Sequence, residues 1–221
     1  MRAFIFDMDG VILDGEPIWD EIKPALYAEL FGDGMYAKHG PMVGLSIEQV
    51  YQRAREDGLS VTREQVEAGF HRYGPRVYHE APITPGTDEL IRELVDLDFR
   101  LGLVSASPRT WIEIVLSRLA MRDKFEVVMS LTEREDLQHK PHPDGYHEAM
   151  RRLGATPAQT MILEDSNGGI AAAKAAGAHV IGLRQNLLPG YVQEGADVYA
   201  DDMEAVAGLA RSFVRGRGLI V

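Results

Sequence analysis

The chain has no cysteine among its 221 residues, which excludes disulfides and thiolate metal sites. It has no basic excess either. Lys and Arg number 23 against 34 Asp and Glu, for a formal charge of −11. Nucleic acid and anionic membrane both need basic patches, so neither is expected as a partner. No apolar run approaches the roughly 20 residues of a membrane-spanning helix. The first residues read as a strand to be retained and not as a signal peptide, which has a basic start, an apolar middle and a small-residue end. Repeats and low-complexity tracts are missing. The seven histidines show no metal-ligand spacing, and Trp19 and Trp111 read as packing residues, with Trp19 also a candidate to line a pocket. These absences predict a cytoplasmic soluble protein, and a monomer or weak homodimer is expected. At 45% hydrophobic residues, the chain can bury one substantial core plus a small accessory domain.

The most informative feature present is Asp7-Met8-Asp9-Gly10, set between the apolar runs Ala3–Phe6 and Val11–Leu13. Two carboxylates this close at the end of a buried strand are costly. Apolar surroundings raise their pKa values and each charge destabilises the other, unless a cation lies between them. Gly10 lets the backbone turn sharply away. A metal-dependent nucleophile and proton-transfer site satisfies all of these conditions.

Three further segments share that character. Gly102 to Pro108 reads as a strand running into the hydroxyls of Ser105 and Ser107, then a proline-started helix. Lys140 sits in the proline-bracketed loop Lys140-Pro141-His142-Pro143-Asp144. Met161-Ile162-Leu163 is a strand ending in Glu164 and Asp165, followed by Ser166, Asn167 and two glycines. Between the Asp7–Gly10 motif and the Gly102–Pro108 segment the pattern is helical from about residue 15 to 80. Ile18, Ile22 and Leu26 share a face after Pro17, and Pro24 predicts a kink there or the helix's true start. Ser46-Ile47-Glu48-Gln49 and Thr62-Arg63-Glu64-Gln65 fit capping boxes, placing helix starts near Ile47 and Arg63, with Val66, Phe70 and Val77 facing a core. From Pro82 onward helix and strand alternate. Helices are predicted around 90–95, 111–119 and 171–176, and strands over 101–104, 125–129, 161–163, 179–183 and 198–199. Alternation of this kind predicts a doubly wound parallel sheet, a Rossmann-like α/β core. It is formed by residues 1–14 and 81–221, with an all-helical cap domain inserted over 15–80. The chemistry-bearing residues fall at the carboxyl ends of the strands.

With these four motifs in order and in register over essentially the whole length, the chain resembles the haloacid dehalogenase-like hydrolase superfamily. The resemblance implies Asp7 as nucleophile, forming an aspartyl-phosphate, and Asp9 as general acid and then base. It implies Mg²⁺ held by Asp7, the Asp9 carbonyl and Asp165. Glu164 is left as a ligand, an outer support of the metal, or an acceptor that orients the loop. Ser105 and the following amide, at Ala106, are implied to bind the phosphoryl group. Ser107 is read as the cap of the next helix. Lys140 would neutralise phosphate and nucleophile together, and Asn167 would support the metal-phosphate site. Asp14 is read as structural, bonding to the catalytic loop. An aspartate at position 9, where other branches carry tyrosine, alanine or threonine, places the chain with the phosphatases and phosphomutases.

The helical insert further resembles that of sugar-phosphate phosphatases, phosphoglycolate phosphatases and β-phosphoglucomutases. Where a mutase carries a histidine and an arginine, this chain has Trp19 and, in Val43-Gly44-Leu45-Ser46-Ile47, Ile47. Neither can transfer a proton or clamp a second phosphate. A Mg²⁺-dependent phosphatase for a small phosphorylated metabolite, a sugar phosphate, is therefore expected first. A β-phosphoglucomutase comes second, and a non-catalytic protein binding phosphorylated metabolites third.

Overall fold

The computed structural model describes residues 1–216 apart from 33, 41, 43 and 44. The chain divides into two compact units, one of residues 1–14 and 83–221, the other of residues 15–82.

In the first unit, short apolar segments become strands because each can be buried on both faces of a parallel sheet. The strands are β1 (Arg2–Phe6), β2 (Phe99–Ser105), β3 (Phe125–Ser130), β4 (Thr160–Glu164), β5 (His179–Leu183) and β6 (Val198–Ala200). They pair in parallel in the order β3-β2-β1-β4-β5-β6. The chain therefore winds outward from β1 in one direction and from β4 in the other. The crevice beyond the carboxyl ends of these two central strands is where such sheets place ligands. β1 and β4 are fully buried from Ala3 to Phe6 and from Met161 to Leu163. Rings line the sheet on one side, with Phe4 and Phe6 at 4.8 Å and Phe6 and Phe125 at 5.6 Å between centroids.

The helical unit contains α1 (Glu16–Phe31), α2 (Gly34–His39), α3 (Ile47–Glu56) and α4 (Arg63–Glu80). Both expected capping boxes form, with Ser46 and Thr62 accepting from the amides of Gln49 and Gln65. Val66, Phe70 and Val77 are buried, as their spacing predicts. Trp19 is also buried and packs on Phe70 at 5.4 Å. α1 starts at Glu16 and continues past Pro24, so Pro24 does not start the helix. The missing amide costs about 3 kcal/mol, and the buried Trp19, Ile22, Leu26 and Tyr27 on both sides of it supply enough apolar burial to offset that. Val43 and Gly44, in the segment compared with a mutase, lie outside the described residues.

Helices α5 (Thr87–Asp96), α6 (Arg109–Ser117), α7 (Asp144–Leu153), α8 (Asn167–Ala175) and α9 (Met203–Val214) complete the sheet-containing unit. Among the described residues no helix is long and apolar enough to cross a membrane.

Candidate active site

The turn that leaves β1 is built by burial. Met8, Val11, Ile12 and Leu13 are all fully buried, and the Met8 carbonyl accepts from Ile12 N at 2.8 Å while Gly10 N donates to Leu13 O at 2.8 Å. This tight loop aims Asp7 and Asp9 beyond the strand. Gly10 has φ +76°, and a Cβ there would lie 2.0 Å from Asp165 Oδ2. Glycine is thus required twice, by its backbone conformation and by the carboxylate pressed against its Cα.

Asp7, Glu164 and Asp165 bring carboxylate oxygens within 4.8 Å of one another. Lys140 reaches them from the loop before α7. Its Nζ donates to Asp7 Oδ1 at 2.5 Å, Glu164 Oε1 at 2.6 Å and Val104 O at 3.3 Å, which uses all three ammonium protons. The Nζ also stands over the Tyr146 ring, 5.1 Å from its centroid.

Burial raises Asp7 to about 8 against the pull of Lys140, and the Glu164 and Asp9 charges push it the same way. Burial, followed by the Glu164 and Asp7 charges, raises Asp165 well above the usual carboxylate range. Burial would lower Lys140, but the adjoining Asp7 and Glu164 carboxylates outweigh it and hold the ammonium charged. One lysine cannot hold all of these carboxylates ionised.

Glu164 is fully buried and its two oxygens receive five donors. Lys140 Nζ and Tyr146 Oη donate to Oε1 at 2.6 and 2.7 Å. Asp165 N, Ser166 N and Ser166 Oγ donate to Oε2 at 3.1, 3.2 and 3.2 Å. A carboxylate has about four lone-pair positions, so these donors engage both oxygens, in a residue whose carboxylate also lies within 4.8 Å of those of Asp7 and Asp165. Of the three roles the sequence left open, these bonds favour the loop-orienting acceptor, while Glu164 also stands in the carboxylate group with Asp7 and Asp165 that could hold a cation.

Gly169 makes room for that arrangement, since a Cβ there would fall 1.7 Å from Glu164 Oε1, whereas one on Gly168 meets nothing within 4 Å. Gly169→Ala is expected to lower stability toward the upper end of the roughly 1–3 kcal/mol typical of overpacking. Gly168→Ala should be neutral or stabilising by up to about 1 kcal/mol. Urea unfolding midpoints of the two variants check the contrast, and equal midpoints would contradict it.

Beyond β2, Ser105 is fully buried and Ala106 half-buried. Ser105 Oγ accepts from Ser107 N at 3.0 Å and lies 3.4 Å from Asp9 Oδ2. Ser107 does not cap α6. The N-cap is Pro108, without a side-chain cap bond, and Ser107 Oγ donates instead to Asp9 Oδ2 at 2.8 Å. A hydroxyl on a carboxylate is a charge-assisted bond, roughly twice as strong as a neutral one, and Pro108 shifts the helix start past the serine. Asn167, two residues after Asp165, bonds to the loop before β6. Its Nδ2 donates to Val192 O at 2.9 Å and its Oδ1 accepts from Glu194 N at 2.8 Å.

Tyr146 and the bond from Ser107 to Asp9 are contacts the sequence did not single out. Tyr146 opens a buried stripe with Ala149, Met150 and Leu153, a helical spacing that signals α7. Its reach to Glu164 depends on the crossover of the chain and has no local signal.

Carboxylates in unequal surroundings, a hydroxyl pair and a lysine with three acceptors thus converge at the switch point of a doubly wound sheet. Residues 4–183 match the family described as haloacid dehalogenase-like hydrolase. The chain belongs to the haloacid dehalogenase-like hydrolases. It is 36% identical over 180 residues to hexitol phosphatase B of Escherichia coli, covering 79% of each chain. It is 35% identical over 193 residues to validoxylamine A 7′-phosphate phosphatase of Streptomyces hygroscopicus, covering 82% of this chain and 85% of that one. Its fold superposes with a TM-score of 0.70 on a Thermotoga maritima protein assigned as a β-phosphoglucomutase, at 25% identity and covering 96% of this chain and 99% of that chain.

Proposed function

We propose that this hydrolase is a Mg²⁺-dependent phosphatase that cleaves a small phosphorylated metabolite, a sugar or sugar-alcohol phosphate, through an aspartyl-phosphate on Asp7. The observation that carries the reading is the unequal setting of Asp7 and Asp9. Asp7 is buried and held by Lys140, while Asp9 is half-buried and held by hydroxyls. Two carboxylates in different surroundings can divide nucleophilic and acid-base work.

The all-oxygen donor set of Asp7, the Asp9 carbonyl and Asp165 suits a hard cation such as magnesium, and a bound cation would let these buried carboxylates stay ionised. When bound, the cation would neutralise charge on the phosphoryl group and the attacking carboxylate. Asp7 attacks phosphorus, the phosphorus–oxygen ester bond breaks, and Asp9 gives its proton to the departing alcohol oxygen. Asp9, now a carboxylate, takes a proton from water as that water attacks phosphorus, releasing phosphate and restoring Asp7. Lys140 holds Asp7 in line, and Ser105 with the Ala106 amide is assigned to the phosphoryl oxygens. Selectivity is assigned to the helical unit.

The fold shared with the Thermotoga maritima protein makes a phosphomutase the second reading. Trp19 and Ile47 oppose it, since neither offers a proton or a cation for a second phosphate. The test is a set of phosphorylated metabolites assayed for released phosphate with Mg²⁺ and with excess chelator. We expect release from at least one sugar or sugar-alcohol phosphate, and loss of release in chelator. Full turnover in chelator would overturn the metal assignment. In a second assay, β-glucose 1-phosphate with catalytic bisphosphate should give negligible glucose 6-phosphate. Efficient isomerisation without phosphate release would favour the mutase.

A further inference from the structure

The connection from β5 to β6 reaches back to both loops that carry the carboxylates. Gln193 is buried, at 8% exposure. Its Nε2 donates to Asp165 O at 2.6 Å and to Leu183 O at 2.8 Å. Both neighbours are carbonyls, which fixes the amide's orientation and uses both of its protons. Asn186, seven positions earlier in the same connection, donates from Nδ2 to Gly10 O at 3.1 Å and Thr84 Oγ1 at 2.7 Å. The two points held are in contact with each other. The Asp165 carboxylate occupies the space where a Gly10 side chain would begin, and Gly10 directly follows Asp9.

We propose that Gln193 and Asn186 are positioning residues that together set the spacing between the Asp9–Gly10 turn and Asp165, and through it the affinity for the divalent cation. This rests on the metal-dependent reading above. Each amide holds a main-chain carbonyl at or beside a proposed ligand, so neither touches the reacting atoms. Asp165 comes directly after β4, and its side chain has a short lever arm from the main chain that Gln193 grips. If Gln193 is removed, the Asp165 carbonyl loses this donor and the turn is free to shift. If Asn186 is removed, the same happens on the Gly10 side. Outer partners of metal ligands typically change affinity by about 10- to 100-fold when lost.

The test is calorimetric titration of Mg²⁺ into the chelator-stripped full chain. The wild type is compared with Gln193→Leu, Asn186→Leu and the control Gln185→Ala, with melting temperatures recorded in chelator. Gln185 lies in the same connection but donates to Pro85 O and to neither Gly10 nor Asp165. We expect Mg²⁺ dissociation constants raised about tenfold or more in both amide variants, and unchanged in the control. The half-saturating Mg²⁺ for turnover should rise in step, while turnover at saturating Mg²⁺ falls much less. Lower melting temperatures with unaltered Mg²⁺ affinity would make the two amides merely structural and overturn the proposal. The same holds if Gln185→Ala weakens Mg²⁺ as much as they do. If Gln193→Leu does not fold, Asn186→Leu decides alone. Absence of Mg²⁺ binding in the wild type would instead overturn the metal-dependent reading itself.

Discussion

Asp7→Asn is expected to abolish phosphate release altogether, whereas Asp9→Asn should retain half of the reaction. An amide at position 7 is no nucleophile, so no phosphoenzyme forms whatever the leaving group. With Asp9→Asn, an aryl phosphate has a leaving group that needs little proton donation, and Asp7 can still attack it. Hydrolysis of the aspartyl-phosphate then lacks its base. Rapid mixing should record a burst of phenol close to stoichiometric with enzyme, then a steady rate slower by about 10²–10⁴, the usual worth of general acid–base catalysis. A burst from Asp7→Asn together with normal turnover by Asp9→Asn would reverse the two roles. Stability separates chemistry from damage. Asp7 shares its surroundings with Glu164 and Asp9, both of which raise its pKa, so removing its charge relieves repulsion even as it weakens the bond to Lys140. In chelator, Asp7→Asn should therefore melt at or near the wild-type temperature, as is common for residues kept for function at a cost in stability.

The carboxyl-end placement of Asp7, Ser105 and Asp165 was legible because parallel strands announce themselves as short apolar runs, and the residues just past such a run lie at the ligand-binding edge. The capping boxes at Ser46 and Thr62 were legible for a similar reason, since each is a local exchange of hydrogen bonds between residues three apart. Errors came where a local rule met a non-local partner. Ser107 looks like a helix cap until the fold brings Asp9 beside it. The bonds of Asn167 to Val192 and Glu194 likewise depend on a distant loop that has no local signal. Pro24 reads as a break only if the apolar stripe around it is given too little weight. α7 and α9 were not anticipated, although Tyr146, Ala149, Met150 and Leu153 carry the helical spacing. Glu164 shows the limit most clearly. Its identity and position suggest a ligand, and only the donors that converge on it from α7, the Lys140 loop and its own turn reveal that its lone pairs are engaged.

Lys140→Met should be the most damaging single change in the site, for stability as well as for activity. The ammonium balances Asp7 and Glu164 at 2.5 and 2.6 Å, and its side chain is only 12% exposed. Removing one partner of a buried ion pair typically costs about 3–5 kcal/mol, because the remaining charge stays out of water without compensation. Here two carboxylates lose their cation, though Glu164 keeps the Tyr146 hydroxyl and the amides of Asp165 and Ser166. The burden therefore falls mainly on Asp7. Turnover should fall by about 10²–10³ or more, the loss expected when one preorganised donor leaves a transition state of developing negative charge. Lys140→Arg should rescue little, since a planar guanidinium cannot direct its donors at Asp7, Glu164 and the Val104 carbonyl as the tetrahedral ammonium does. A double-mutant cycle tests the origin of the stability loss. Adding Asp7→Asn to Lys140→Met removes the uncompensated charge, so the double variant should recover part of the lost urea midpoint despite carrying one more substitution. Strictly additive losses would show that Lys140 stabilises the fold through packing of its stem and not through the charge of Asp7.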